Sequence, residues 1–259
     1  MWDPGQYRRF ADERARPFFD LVARIGTDAP RSVVDLGCGP GDLTVDLARR
    51  WPAAAIVGID SSAEMIAAAH RGEKRPGVSF AVADLRDWQP DARVDVLVCN
   101  AVLQWVPGHL GLLPRWVSWL SGGGWLAFQL PGNFDQPPHA VLREMAASPR
   151  WRPLIGEAEL TRQAGDLTGY LDVLAGAGCQ VDAWETTYLH ILHGEDPVVE
   201  WVKGTALRPV LAVLDDAETA ELLAEYRDRM RRAYPPHSFG TVLPFRRVFV
   251  VAHVAHGPG

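Results

Sequence analysis

Residues 33–42 read VVDLGCGPGD, an apolar run that leads into three glycines at alternate positions. The β-branched run predicts the end of a buried strand, and the glycines predict a tight turn before a helix that begins near Asp42. Turns of this kind hold nucleotides, because the backbone N–H groups at the start of the helix point at the ligand. We therefore expect an α/β fold with a ligand beyond the carboxyl ends of its strands.

The rest of the chain also indicates a sheet that alternates with helices. Over the first half, short β-branched runs alternate with helical stretches, which predicts a parallel sheet with helices on both faces. Predicted strands cover 32–37, 55–60, 78–82, 94–99, 124–130, 180–193 and 241–254, and predicted helices cover 14–26, 42–50, 62–71, 109–120 and 167–176.

The chain of 259 residues is predicted to form one domain, residues 1–259, around a seven-stranded sheet. Residues 131–165 are rich in proline, tryptophan and charge and contain no strand signal, and residues 195–240 are mostly helical in pattern. We interpret both segments as cap insertions that fold over the same end of the sheet. Residues 1–28 are interpreted as an N-terminal lid.

Charge and cysteine content limit the partners and the compartment. The net charge is −6 and no basic stripe is visible, so no nucleic-acid partner is expected. The three cysteines are far apart, and neither they nor the eight histidines have metal-ligand spacing, so no metal is predicted. With no signal peptide and no apolar run near ~18 residues, we expect a cytoplasmic protein that does not contact a membrane. The sequence sets no oligomeric state, and a monomer is compatible with it.

The spacing of the glycines argues against a dinucleotide ligand. The dinucleotide pattern is G-x-G-x-x-G, whereas Gly37, Gly39 and Gly41 give G-x-G-x-G and Asp42 takes the place of the third glycine. Asp35 stands two residues before the first glycine, where an anion would repel a pyrophosphate at the helix start. The same anion suits a cofactor that carries an ammonium or sulfonium charge.

This pattern resembles motif I of the class I S-adenosylmethionine-dependent methyltransferases, and strand ends at 56–60, 83–85 and 98–101 match that superfamily in order. Alone, Asp60 could be a helix N-cap and Asp84 a turn residue. The resemblance implies a Rossmann-like, mostly parallel sheet with an antiparallel last strand. It also implies that S-adenosyl-L-methionine binds, and leaves as S-adenosyl-L-homocysteine, at Asp35, Gly37, Gly39, Gly41, Asp60, Ser61, Met65, Asp84, Leu85 and Asn100.

Over nearly its full length the chain also resembles the trans-aconitate methyltransferases. The matching stretches are residues 2–7, ADERARP at 11–17, NAVLQW at 100–105, PGN at 131–133, VDAWETTYLH at 181–190, LRP at 207–209 and PFRRVFVVA at 244–252. That family forms a monomethyl ester on one carboxylate of trans-aconitate, so the resemblance implies a carboxyl O-methyltransferase for a small anionic polycarboxylate. A carboxylate is already ionised at pH 7, so no general base is predicted.

Methyl transfer to a carboxylate requires orientation, and we expect hydrogen-bond donors and aromatic walls around the acceptor. Gln104 and Trp105 are predicted to orient it, since related carboxyl methyltransferases use such a pair. Strand ends, cap and lid supply the predicted substrate residues, which are Tyr7, Arg16, Asn133, Tyr188, His190, Arg208, Arg246 and Arg247.

Several of these candidates have a purely structural alternative. Trp105 could belong to the core, Gln104 to the surface, and His190 could be an ordinary strand histidine. Strand alternation sends one of Arg246 and Arg247 toward a site and the other into solvent. Arg16 could be a helix-surface charge.

Three other functions stay open at this point. The same fold could methylate a fatty-acyl carboxylate, a phenol or an amine, in which case the acceptor pocket would be apolar with few arginines. A non-catalytic protein that binds S-adenosylmethionine would keep the same motifs without turnover. A dehydrogenase is disfavoured by Asp35 and Asp42.

Overall fold

The computed structural model describes residues 11–155 and 165–255. The strands are β1 (Ser32–Leu36), β2 (Ala55–Asp60), β3 (Val78–Val82), β4 (Val94–Asn100), β5 (Leu120–Pro131), β6 (Cys179–Leu192) and β7 (Thr241–Val254). They form one seven-stranded sheet in the order β3-β2-β1-β4-β5-β7-β6, in which β7, the last strand of the chain, is antiparallel to the others. The predicted α/β fold class is therefore confirmed.

Helices alternate with the early strands and fill the two later insertions. Those described are α1 (Ala11–Val22), α2 (Asp42–Arg50), α3 (Ala63–Arg71), α4 (Leu113–Ser118), α5 (Pro137–Ala147), α6 (Arg152–Ile155), α7 (Leu167–Gly176), α8 (Pro197–Lys203), α9 (Arg208–Leu211) and α10 (Asp216–Ala233). The predicted helices 42–50 and 167–176 are confirmed residue for residue. Local signals explain this accuracy, since Asp166 caps α7 by accepting a hydrogen bond from the N–H of Thr168.

Three predicted elements differ clearly from the structure. The helix expected at 14–26 is α1, Ala11–Val22, and it ends early because the N–H groups of Arg24 and Ile25 donate to carbonyls only three residues back. The helix expected at 109–120 is divided into a 3-10 helix, His109–Leu112, and α4, because Pro114 lacks an N–H and suits the first turn of a new helix. Strand β5 begins at Leu120 rather than at residue 124. The three glycines that follow carry little strand propensity and fall at a register shift, between the pairs Val94–Leu120 and Val96–Trp125 that keep this stretch in the strand.

The chain divides into two compact units, each with its own core. Among the described residues, the sheet unit comprises 15–130, 165–186 and 248–255, and the insertion unit comprises 11–14, 131–155 and 187–247. The core of the sheet unit includes Trp116, Phe128 and Tyr170, and that of the insertion unit includes Trp151, Tyr226 and other large side chains. The lid and cap roles given to residues 1–28, 131–165 and 195–240 remain predictions.

None of the helices in residues 11–155 and 165–255 is both long and apolar enough to cross a membrane. Nor do histidine, cysteine and acidic side chains within 11–155 and 165–255 form a group that could hold a metal ion.

Candidate functional site

The glycine turn after β1 is shaped by its neighbours. Gly37, Gly39 and Gly41 all have left-handed backbones, with φ of 78°, 56° and 85°. A Cβ atom on Gly37 would lie 2.3 Å from a methyl group of Val102, and one on Gly41 would lie 2.7 Å from the ring of Phe80. A Cβ on Gly39 would meet nothing within 4 Å. Packing therefore requires the outer glycines, whereas the middle one faces open space.

Asp60, at the carboxyl end of β2, ties this turn to the next helix. Its Oδ2 accepts from the N–H of Gly39 at 2.9 Å, and its Oδ1 accepts from the N–H of Ser62 at 2.8 Å. The side chain of Ser62, not that of Asp60, is the N-cap of α3, since Ser62 Oγ accepts from the N–H of Met65. Asp60 is thus held rigidly at the mouth of the turn.

A cleft of about 190 Å³ lies at the carboxyl ends of the parallel strands in the sheet unit. It brings together several residues that the sequence predicted as site residues, from four separate strand ends. It is lined by Gly37, Asp60, Ser61, Ala83, Asp84, Leu85, Arg86, Val102, Trp105 and Val106.

Two features of the cleft lining go beyond the predictions. Trp105 is 53% exposed and lines the cleft, so the alternative that it belongs to the core is wrong. Val102 and Val106 were missed, although they flank Gln104 and Trp105 in the sequence. In the sequence, an apolar residue next to a strand end cannot be told from a core residue. The position of the two valines beside Gln104 and Trp105 was the signal that could have identified them.

Asp84 has a partner that the sequence analysis missed. Arg86 donates to both carboxylate oxygens of Asp84, with Nη2 to Oδ2 at 2.6 Å and Nε to Oδ1 at 3.0 Å. These side-chain bonds, and the backbone N–H of Arg86, lower the pKa of Asp84 to about 2. Asp84 is therefore an anion in the cleft at any physiological pH.

Asp35 is a buried carboxyl group behind the turn. It is 2% exposed, and its Oδ2 accepts from the hydroxyl of Thr44 at 2.7 Å. Burial raises the pKa of Asp35 to about 6, the Thr44 hydrogen bond opposes that shift, and the nearby charge of Asp60 adds to it. A cation close to the turn would favour the ionised form and bring this pKa down again.

The segment after β4 is backed by a hydrogen-bond network. Asn100 Oδ1 accepts from the side-chain amide of Gln129, which is fully buried and was not predicted. Ala101 has a left-handed φ of 56°, its N–H donates to the Gln129 carbonyl at 2.8 Å, and its own carbonyl accepts from Gln104 Nε2 at 2.6 Å. Within the described chain, Gln104 Oε1 is buried without a hydrogen-bond partner. Strained non-glycine backbone of this kind is typical of functional sites.

In the insertion unit, several predicted substrate residues meet around aromatic rings. His190 stacks on Trp201 with ring centroids 4.8 Å apart and lies 6.3 Å from Tyr188. The guanidinium of Arg247 lies 4.6 Å from the ring centroid of Phe245. Neither Trp201 nor Phe245 was predicted. They are large apolar residues in a helix and a strand, which sequence reading assigns to a core.

The two adjacent arginines of β7 are both withdrawn from solvent, so the expectation that one is a solvated surface residue is wrong. Arg247 is 6% exposed. Arg246 is half-buried, and its Nε donates to the carbonyl of Gly132 at 2.6 Å. Beside Gly132, Asn133 is 3% exposed, and its Oδ1 has no hydrogen-bond partner among the residues described.

The remaining substrate candidates are less closely tied to these groups. Arg16 lies on α1, and its exposed side chain is 3.9 Å from Asp20 in an i, i+4 ion pair. Arg208 is exposed at the start of α9. Tyr7 lies outside the described residues. The binding roles of all these side chains remain predictions.

Comparisons with known proteins agree with the fold and the motifs. Residues 33–124 match the family model described as "Methyltransferase domain". The chain is 52% identical to a trans-aconitate 2-methyltransferase of Streptomyces avermitilis, over 97% of this chain and 96% of that protein. It is 49% identical to the protein of the same name from Mycolicibacterium gilvum, over 98% and 99% of the two chains.

Solved structures show the same fold at low identity. The YcgJ protein of Bacillus is 12% identical with a TM-score of 0.58, over 93% of this chain and 99% of that chain. Phosphoethanolamine N-methyltransferase 2 of Haemonchus contortus, solved with S-adenosylhomocysteine, is 15% identical with a TM-score of 0.55, over 93% of this chain and 52% of that chain. These likenesses establish the fold class alone.

Proposed function

Since the chain belongs to the trans-aconitate 2-methyltransferase family, we propose that it transfers a methyl group from S-adenosyl-L-methionine to one carboxylate of trans-aconitate. The products are a monomethyl ester and S-adenosyl-L-homocysteine. The observation that carries the proposal is 52% identity over 97% of the chain, which includes the insertion unit as well as the matched segment 33–124. We further propose that the protein acts in the cytoplasm and has no nucleic-acid partner.

The sheet unit has the groups that the methyl donor needs. The space beside Gly39 is open, since a Cβ there would meet nothing within 4 Å, and Asp60 and Asp84 in the cleft supply acceptors for hydroxyl and amino groups. Asp35 and Asp60 place negative charge near a cofactor that is cationic. When bound, S-adenosyl-L-methionine supplies an electrophilic methyl group on a sulfonium. Val102, Trp105 and Val106 offer an apolar wall against which the methyl donor can lie.

The acceptor needs recognition and orientation rather than activation. A carboxylate is ionised at pH 7 and is itself the nucleophile, so no side chain has to remove a proton. Holding nucleophile and methyl group in line can supply up to ~7–11 kcal/mol of the barrier reduction in favourable cases. We propose that Arg247, packed against Phe245 and withdrawn from water, binds a carboxylate through its planar donor fork. Gln104 and Trp105 remain the proposed orienting pair.

The direct test is methyl transfer from labelled S-adenosyl-L-methionine to trans-aconitate. We expect a monomethyl ester and an equal amount of S-adenosyl-L-homocysteine, measured by chromatography with mass spectrometry. A fatty acid, a phenol and an amine serve as alternative acceptors, and we expect little or no transfer to them because they lack several carboxylates. Transfer to one of these and not to trans-aconitate would refute the acceptor and leave the donor assignment intact.

A matched pair of arginine variants tests the acceptor site. Arg247→Met is expected to raise the apparent KM for trans-aconitate about 10-fold or more, because one charge-assisted hydrogen bond contributes about 1.5–3 kcal/mol. Arg232→Met removes an exposed arginine near the end of α10 in the same unit, one that is not a predicted substrate residue, and serves as the comparison. The affinity for S-adenosyl-L-homocysteine, measured by calorimetry, should stay unchanged in Arg247→Met. A KM that rises equally in both variants would argue for a diffuse charge effect instead of a specific carboxylate contact.

A further inference from the structure

A buried hydrogen-bond network joins the segment after β4 to helix α7 within the sheet unit. Nε2 of His109 lies 2.6 Å from the hydroxyl of the fully buried Tyr170, and the N–H of Gly165 donates to that hydroxyl at 3.0 Å. Nδ1 of His109 lies 3.0 Å from the carbonyl oxygen of Val106. The His109 and Tyr170 rings are stacked with centroids 5.7 Å apart. The network thus runs from α7 to a residue of the cleft wall.

Hydrogen-bond complementarity assigns each proton of the network. A carbonyl oxygen can only accept, so Nδ1 of His109 carries the proton and donates to Val106. Nε2 is then an acceptor, and the Tyr170 hydroxyl donates to it while accepting from Gly165. Burial lowers the pKa of His109, against the opposing effect of its backbone hydrogen bonds, which agrees with a neutral ring. Tyr170 thereby selects the tautomer of His109 that holds the Val106 carbonyl.

The Val106 carbonyl belongs to a wall of the cleft at the carboxyl ends of the parallel strands, which we call the donor cleft because we propose that it binds the methyl donor. Val102, Trp105 and Val106 all line the cleft, and the 3-10 helix Leu103–Trp105 lies between the two valines. At one end this segment is fixed by the bond from Gln104 Nε2 to the Ala101 carbonyl. At the other end it is fixed by His109. A loss of either anchor would let the wall shift relative to the strand ends.

We propose that His109 is a positioning residue for the donor cleft, acting through the Val106 carbonyl, and that Tyr170 keeps its ring in the donating tautomer. The proposal rests on the proposed function, because it takes this cleft to be the site of S-adenosyl-L-methionine. His109 acts on the geometry of the wall that carries Trp105. An equally stable protein with a displaced wall would bind the donor less tightly.

Two substitutions at His109 separate positioning from simple packing. His109→Asn retains an N–H near the position of Nδ1, so it can still donate to the Val106 carbonyl. His109→Gln places its amide near the position of Nε2, so the Val106 carbonyl loses its side-chain donor and keeps only the longer bond from the backbone N–H of residue 109, 3.3 Å in the wild type. We expect the Gln variant to bind S-adenosyl-L-homocysteine about 10-fold more weakly than the wild type, and the Asn variant to stay within about 3-fold. The measurement is calorimetric titration well below each melting temperature.

A second pair covers the case in which a His109 variant fails to fold. Tyr170→Phe deletes only the hydroxyl and leaves the ring stacking in place. Tyr226→Phe makes the same change at another fully buried tyrosine, whose hydroxyl donates to the Pro138 carbonyl at 2.8 Å in the insertion unit. We expect both variants to lose thermal stability, and only Tyr170→Phe to weaken binding of S-adenosyl-L-homocysteine, by about 3-fold or more.

The outcomes decide between positioning and ordinary stabilisation. Weaker binding in His109→Gln but not in His109→Asn, or in Tyr170→Phe but not in Tyr226→Phe, supports the proposal. Lower melting temperatures with unchanged affinity in His109→Gln and Tyr170→Phe would overturn it. The readout uses no acceptor, so a wild-type protein that binds S-adenosyl-L-homocysteine without methylating trans-aconitate would refute the acceptor only. A wild-type protein that does not bind it would refute the donor assignment itself.

Discussion

Asp60→Ala is expected to weaken the binding of S-adenosyl-L-homocysteine by about 100-fold or more. We propose that Asp60 accepts hydrogen bonds from both ribose hydroxyls of the donor, and hydrogen bonds to a charged group contribute about 1.5–3 kcal/mol each. The substitution also removes the acceptor that holds the N–H groups of Gly39 and Ser62. Both effects act on the same cleft, so the loss of affinity should exceed the loss caused by substituting any other single cleft residue. Calorimetric titration at neutral pH measures it.

The control for Asp60→Ala is Asp91→Ala, which removes an exposed aspartate from the loop before β4. Asp91→Ala changes the net charge by the same amount as Asp60→Ala and should leave the affinity for S-adenosyl-L-homocysteine unchanged. If Asp60→Ala binds S-adenosyl-L-homocysteine within a few-fold of the wild type while remaining folded, Asp60 does not recognise the donor. Its role would then be limited to tying the turn to α3.

Asp35→Asn is expected to make the ligand-free protein more stable and a poorer binder of the donor. The pKa of Asp35 is raised from its ordinary value of 3.8 to about 6, which corresponds to about 3 kcal/mol of lost stability at neutral pH. Asparagine removes this cost, but its buried N–H group needs a partner, so we expect a net gain of about 1–2 kcal/mol. Affinity for the cationic S-adenosyl-L-methionine should fall more than affinity for S-adenosyl-L-homocysteine, because only the former carries the sulfonium charge.

The stability difference between Asp35→Asn and the wild type should depend on pH, with a direction that the raised pKa of Asp35 fixes. A carboxyl group with a raised folded-state pKa contributes stability below its unfolded pKa, and that contribution is lost as pH rises through about 6. The stability advantage of Asp35→Asn should therefore shrink from about pH 7.5 to pH 5. Wild-type affinity for S-adenosyl-L-methionine should rise as the pH increases from about 5 to 7.5, since the ionised form of Asp35 is the one that attracts the cation. Equal stability of both proteins at pH 7.5, or a wild-type affinity that does not change between pH 5 and 7.5, would contradict this account.

The sequence predicted most of the elements because their signals are local. Helix α2 begins right after Gly41, and strand β2 ends at Asp60, as the periodicity and the glycines indicate. The predicted helix 109–120 was wrong because one proline redirects a helix that looks continuous in its apolar spacing. The start of β5 was missed because the pairing of Leu120 with Val94, beyond a register shift at the glycines, extends the strand further than its own propensity indicates.

In the candidate site, too, the residues with local sequence signals were predicted and those that depend on long-range contacts were missed. Asp35, Asp60 and the three glycines were identified because their chemistry and spacing are written in one short stretch and one strand end. Partners such as Gln129, which binds Asn100, and Tyr170, which binds His109, are far from them in sequence. Nothing in the local pattern distinguishes these residues from others of a strand or helix.

By itself, the sequence determined the class of fold and singled out the turn and the acids that we propose to bind the cationic cofactor. Backbone conformation and hydrophobic period depend on neighbouring residues, so they can be read along the chain. The tertiary structure alone decided that Trp105 lines the cleft, that Arg247 lies on Phe245 away from water, and that His109 holds the Val106 carbonyl. Burial, tautomer and side-chain contact depend on which distant segments pack together, and packing is settled only when the whole chain has folded.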